Sequence, residues 1–372
     1  MSFNRKHFVR ISEKGGMGRR LRRMLKHAVF ETVQGVVDRQ FMFKPDHYPD
    51  IPTLSTQSSR NALDPDNDET PVPSTLNIVG AAIGRAIREV PVRLHCFEVN
   101  IDHKHSEESV DDGCCLGPGN CKWADTPRCG GVLTHPSRFH QRVNSVIAQQ
   151  MKKKYEREGS FWAAPPRMTE CIDDEQAEEK FFYALTNPVK DGQVDKVSES
   201  PFFSTYKYWV EDEPLRFWYI DWEAYDLAGG ARKKSHRPKD YLHWVEWEPS
   251  KLPSWADKTD EQYATFIQEN CRAEEEKYRE ERREENRPVR GVKKLYALDP
   301  RDRPKGPREK SPQPLCHASD PEQARKYKKG WRKFVDDHRK ASSDYLNGQY
   351  YREFPEGSFR PPLITAYNAS RL

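Results

Sequence analysis

The stretch VNIDHKH, residues 99 to 105, places two histidines one residue apart at the end of an alternating run. Phe97, Val99 and Ile101 share parity with His103 and His105. A single extended strand would therefore carry apolar side chains and then two imidazoles on one face. Side-by-side imidazoles suit a shared metal ion, but two ligands alone leave the coordination sphere incomplete and fit a surface hairpin equally well. A second pair lies downstream. In FFYALTNPV, Tyr183 and Asn187 are four apart, so on a helix a phenol and an amide oxygen face the same way, one turn apart. The same spacing also fits a half-buried helix tyrosine and a helix that ends before Pro188.

Taken together and in this order, the two pairs resemble the single-tyrosine transposases of the HUH superfamily, in particular the REP-associated tyrosine transposases, of insertion-sequence type. VRLHCFEVNIDHKH is similar to that family's His-hydrophobic-His strand, and YALTNPVKDGQV to its Tyr-Ile-x-x-Asn-Pro-Val-Arg-Ala-Gly helix and turn. The resemblance runs from about residue 28 to 209. TVQGVVDRQFMF, the helix before Pro91 and PFFSTYKYW stand where the family has its first strands, first helix and closing segment. The resemblance implies a bacterial, DNA-transposing enzyme with a ferredoxin-like (RRM-like) antiparallel sheet, helices on one face. Tyr183 would be the nucleophile, forming a 5′-phosphotyrosine on single-stranded DNA beside a hairpin, and His103, His105 and Asn187 would hold Mg2+ or Mn2+. Unaided phenol chemistry at neutral pH needs such a cation, since a tyrosine hydroxyl normally titrates near pH ~10. The sequence departs from the family at Lys104, which replaces an apolar residue and is expected either to solvate its face or to weaken the strand, and in KDG, which replaces Arg-Ala-Gly. Upstream of the tyrosine helix, AAPPRMTE keeps only Arg167 basic. A cleavage-inactive DNA-binding protein of the same fold therefore stays open.

The elements that must position these residues follow from periodicity. Residues 28 to 43 read as a strand entering a second short one. Val79, Ala82, Ile83, Ala86 and Val90 mark an amphipathic helix ending before Pro91, and Phe139, Val143, Ile147 and Met151 another that exits in KKKYER. A third is expected from Asp173 to about Asn187, stopping at Pro188. The order predicts an α+β domain over 28–209, interrupted by a Pro-rich loop at 45–75 and a Cys-rich insertion at 111–131, after a basic arm at 1–27. Residues 210–372 have a different texture, aromatic and charged, and read as a mostly helical or irregular accessory region. Its helix over 257–286 is so charged that much of it should be solvated, and Ser319 with Glu322 offers a capping box for a further helix.

Composition bounds the partners. The 372 residues are 32% charged and 35% hydrophobic, too polar to be all packed core, with prolines concentrated in 45–73 and 288–314. No apolar run is long enough for a membrane span and no signal-like leader is seen, so a soluble, cytoplasmic protein without membrane contact is expected, monomer or homodimer. Eight cysteines then read as thiols or metal ligands. Cys114, Cys115, Cys121 and Cys129 could ligate zinc with the histidines, though they lack a C-x-x-C pair, which keeps a zinc-dependent structural module as a rival. A net charge of +4 says little about nucleic acid, but local basic clusters do. Lys152, Lys153, Lys154 and Arg157, with Arg167, are the candidate DNA contacts. Arg19, Arg20, Arg22, Arg23 and Lys26 form another cluster, and Arg232 to Lys234 with Arg237 and Lys239 a third.

Overall fold

The computed structural model describes residues 21–25, 27–46, 72–90, 92–110, 136–232, 236–304 and 314–358. In chain order these hold β1 (Val29–Gly35), α1 (Thr75–Glu89), β2 (Val92–Val99), β3 (His103–Val110), α2 (Pro136–Lys154), β4 (Arg167–Cys171) and α3 (Asp174–Lys190). Then follow α4 (Tyr206–Glu211), β5 (Arg216–Ile220), α5 (Trp222–Leu227), β6 (Leu242–Glu246), α6 (Asp260–Glu284), α7 (Val292–Tyr296), β7 (Cys316–His317) and α8 (Pro321–Leu346). The strands β2-β3-β1-β4-β7 form one sheet in that order, and β5 and β6 form a separate ribbon.

The sheet is mixed where an antiparallel one was expected. β1 pairs antiparallel with β3 and β4, and β2 with β3, but β7 adds parallel to β4. It returns from the C-terminal half, so no tight turn forces it antiparallel. Helices cover both faces rather than one. From Lys104 to Val110 every residue of β3 is buried, and a strand buried on both sides must be covered on both sides. α2 covers the face that carries Lys104 and Glu108, and α3 the face that carries His103 and His105.

The run around the histidines is a hairpin, not one strand. Asn100–Asp102 form a turn between β2 and β3, closed by the Asn100 amide donating to the His103 carbonyl at 2.8 Å. Because hairpin partners share a face, Val99 and Phe97 lie with Lys104 and Ser106, and Glu98 lies opposite His105. The apolar residues are thus on the side away from the imidazoles, the reverse of the single-strand parity.

Other boundaries also moved for local reasons. After β1 there is no second strand but a single turn, Val37–Arg39, in which Asp38 and Arg39 adopt left-handed φ of 55° and 54°. α3 is capped by Asp173, which accepts from the Gln176 amide at 2.8 Å, and it runs through Pro188 instead of stopping there. Proline removes only its own N–H, and Asp191 still donates to the Asn187 carbonyl at 2.9 Å and Gly192 to that of Val189 at 3.0 Å. α8 is capped by Asp320, not Ser319; its carboxylate accepts from the amides of Glu322 and Gln323.

The charged helix α6 opens with Thr259 and Gln262 capping each other, and much of it is exposed, as its charge predicts, but one side is not. Tyr263, Ile267, Cys271 and Tyr278, four or seven residues apart, form a buried stripe that packs on α3, with Phe182 and Phe266 ring centroids 5.1 Å apart. The aromatic stretch 202–247 becomes the β5–β6 ribbon seated on α1. Gly80 and Gly84 allow that approach: a Cβ there would meet the Phe217 ring at 2.4 Å and Val245 at 2.5 Å. One continuous buried cluster joins residues from Val36 to Leu295. Among the described residues no helix is long and apolar enough to cross a membrane.

Candidate functional site

The α3 face of β3 brings the two sequence pairs together. The His103 and His105 rings lie edge to face with centroids 4.9 Å apart, and His105 meets the Tyr183 ring at 5.5 Å. His103 Nε2 lies 3.0 Å from Asn187 Oδ1. Thus all four residues named by the sequence sit in one cluster, although the hairpin and the helix that carry them are some eighty residues apart.

Backbone chemistry fixes which way the amides point. The Ile101 N–H can only donate, and it reaches Asn100 Oδ1 at 2.6 Å, so Asn100 presents its NH2 to the other side. That NH2 donates to Asn187 Oδ1 at 2.6 Å and to Asp191 Oδ2 at 2.8 Å. Asn187 therefore turns its oxygen toward His103, whose Nε2 must donate to it. The other nitrogen, Nδ1, donates to Asp102 Oδ1 at 2.6 Å, and Asp102 is held in turn by Arg39 at 3.1 Å. Burial alone would lower the His103 pKa, yet the hydrogen bond and charge of Asp102 hold it above the usual imidazole range. His105 behaves oppositely. Burial, then the charge of His103, push it well below that range, so it is neutral at pH 7. Its buried Nδ1 has no hydrogen-bond partner among the described residues.

Tyr183 is half-buried, and burial, with the charges of Asp191 and Glu31, raises its phenol. Lys190 lies over its ring at 4.3 Å, about two turns further along α3. Asn100, Asp102, Asp191, Arg39 and Lys190 were not named from the sequence. Two of them stand inside the quoted VNIDHKH, and Asp191 follows Asn187 by the same four residues that separate Asn187 from Tyr183.

As donors the cluster offers two imidazoles and an amide oxygen, a set that fits a divalent ion once the His103 Nε2 proton, donated here to Asn187, is displaced, and the unpartnered His105 nitrogen is the kind of buried polar atom that such an ion would satisfy. Among the described residues no group of three or more His, Cys, Asp or Glu side chains could hold a metal; the candidate set has only two such residues and relies on Asn187. The Cys-rich insertion with Cys114, Cys115, Cys121 and Cys129 lies outside the described residues, as do most of the Pro-rich loop and Arg19, Arg20, Lys26 and Lys234.

Lys104, expected to solvate its face or weaken the strand, does neither. It is fully buried with Nζ 4.9 Å from the Phe97 ring centroid and 3.3 Å from His140 Nδ1, and burial pulls its pKa to about 7. The expected DNA contacts are scattered. Lys153 is exposed over Trp222 at 3.9 Å, and Lys152 and Arg157 are half-buried. Lys154 is taken up by an ion pair with Asp46. Arg167, on β4, instead lines a cleft of about 180 Å³ with Arg22, Arg23, Tyr327 and Trp331, where Arg23 stacks on Tyr327 at 4.8 Å.

No family model matches the chain, and no curated protein does. Among solved structures, a REP-associated tyrosine transposase bound to a REP hairpin is similar at 15% identity and a TM-score of 0.32, over 54% of this chain and 90% of that one.

Proposed function

We propose that the chain is a metal-dependent single-stranded DNA nickase and strand transferase of the HUH type, with Tyr183 as nucleophile. The observation that carries this reading is the convergence of Tyr183, His105, His103 and Asn187 from a hairpin and a helix onto one face of β3. The strand order β2-β3-β1-β4 supports a ferredoxin-like reading of the first four strands. Lys104, the main departure from the family at the histidine pair, faces α2 and leaves the site face undisturbed.

In the reaction the Tyr183 oxygen bonds to phosphorus, the bond from phosphorus to the 3′ oxygen breaks, and the phenolic proton is released to solvent. The products are a 5′-phosphotyrosine and a free 3′ hydroxyl, and attack by a 3′ hydroxyl reverses the step. A bound Mg2+ or Mn2+ would polarise the scissile phosphate and stabilise the departing 3′ oxygen, held by His103, His105 and Asn187. His105, neutral and without a partner, has a lone pair ready for that role. Asp102 orients His103, and Asn100 orients Asn187. Lys190, beside the phenol, offers a charge for the phosphate.

The test is incubation of the full chain with a library of single-stranded hairpins and Mn2+, followed by a denaturing gel. A covalent protein–DNA band supports the reading. No band, together with zinc that survives dialysis, would replace it with a zinc-dependent module.

A further inference from the structure

His103, His105 and Asn187 carry no negative charge as ligands, and a set of two imidazoles and an amide favours later transition metals such as Co2+ over the harder Mg2+ or Mn2+, which seek carboxylate oxygen. One carboxylate is coupled to the set. Asp191 closes the last turn of α3, four residues after Asn187, and its Oδ2 accepts from the same Asn100 NH2 that donates to Asn187 Oδ1. Asn100 is fully buried and its donors and acceptor are all used, so it acts as a rigid link between the two side chains. Asp191 itself is exposed. Its charge bears on both His103 and Tyr183.

We propose that Asp191 is a positioning residue that, through Asn100, orients the Asn187 oxygen and supplies the negative charge that biases this site toward a hard divalent cation. The inference rests on the metal site of the preceding section. Asp191 would act on the cation through its charge and through the Asn100 link to Asn187, not as a ligand. The substituted turn KDG, which separates this chain from the family pattern, then has a function of its own.

The experiment measures Mn2+ and Co2+ binding to the full chain, by the loss of the free Mn2+ electron spin resonance signal and by the Co2+ absorption band. Three variants are compared with the wild type: His103→Ala, Asp191→Asn and Asp191→Glu. Asp191→Asn keeps the size and an oxygen for Asn100 while removing the charge. It is expected to weaken Mn2+ about tenfold or more, to leave Co2+ within about threefold because the imidazoles hold it, and to be partly rescued in Asp191→Glu. Equal Mn2+ affinity in Asp191→Asn and wild type, with binding lost in His103→Ala, would overturn the role of Asp191 and leave the metal site standing. Equal losses for Mn2+ and Co2+ would overturn the selectivity and reduce Asp191 to a structural cap. Absence of any His103-dependent Mn2+ binding in the wild type would overturn both the inference and the site.

Discussion

On β3, neighbouring residues enter two very different polar environments. Toward α2, Lys104 Nζ meets His140 Nδ1 at 3.3 Å, His140 Nε2 donates to Glu108 at 2.7 Å, and Thr32 donates to the same oxygen at 2.5 Å. Every member of that chain is fully or almost fully buried. Toward α3, His103 and His105 stand one residue to either side of Lys104, yet His105 keeps a nitrogen with no partner and Tyr183 is only half-buried. The first environment is closed to solvent and chained by hydrogen bonds, although Glu108 Oε2 has no partner among the described residues. The second is ordered at its edges by Asp102 and Asn100 but left incomplete at its centre, which is what a ligand needs. Polar density alone does not mark a site; what separates the two faces is that His103 and Tyr183 are partly open to solvent while the Lys104 chain is not.

The two faces should respond differently to mutation. The largest effect is on what covers the site face: ending the chain after Val210 removes α6 and exposes Phe181 and Phe182, whose rings pack on Tyr263 and Phe266. Such a chain should show no cooperative thermal unfolding. Retention of a sharp transition would show that residues 28–209 stand alone, as the change of texture at residue 210 suggests.

Next, His140→Ala breaks the closed chain and strands the Glu108 carboxylate in the core, costing about 3 to 5 kcal/mol. Urea unfolding measures it, and divalent-ion affinity of the folded protein should be unchanged. A coupled loss of metal binding would mean the two faces are not independent.

The closed face also predicts an acid slope. Burial would raise the Glu108 pKa, but His140, with hydrogen bonds from His140 and Thr32, holds it below the usual carboxylate range. A depressed folded value adds stability above the unfolded pKa of about 4.3, and that stability is lost as pH falls through the folded value. Glu108→Gln should therefore unfold with a shallower dependence on pH below about 4 than the wild type, read from denaturation midpoints. An unchanged slope would remove Glu108 from the account.

The smallest stability effect belongs to the site. His103→Ala gives up two hydrogen bonds at a partly exposed side chain, about 1 to 2 kcal/mol, and should abolish Mn2+ binding seen by calorimetry. Loss of folding with metal binding intact would contradict its assignment.

The histidine pair and the Tyr183–Asn187 pair could be picked out by local periodicity, but periodicity left each open to an ordinary structural reading, and only the resemblance in their order joined them. What could not be read was the face. An alternating run from Phe97 to His105 conceals the turn at Asn100–Asp102, which reverses parity, so Phe97 and Val99 fall with Lys104 rather than with the imidazoles. Lys104 looked like a solvated intruder because its neighbours on that face, His140 and Glu108, come from other segments. The α6 stripe was hidden for a related reason. Its apolar residues sit among so many charges that only the packing on α3 shows which side is inside.

The central claim is that Tyr183 forms the bond to DNA, and Tyr183→Phe tests it most directly. The change removes one oxygen and keeps the ring between His105 and Lys190. The account predicts that the variant folds within about 1 kcal/mol of the wild type, binds Mn2+ and a hairpin substrate, and gives no covalent adduct, while peptide mapping of the wild-type adduct places the nucleotide on Tyr183. An adduct that persists in the Phe variant, or that maps to Tyr155, Tyr206 or Tyr278, would contradict it.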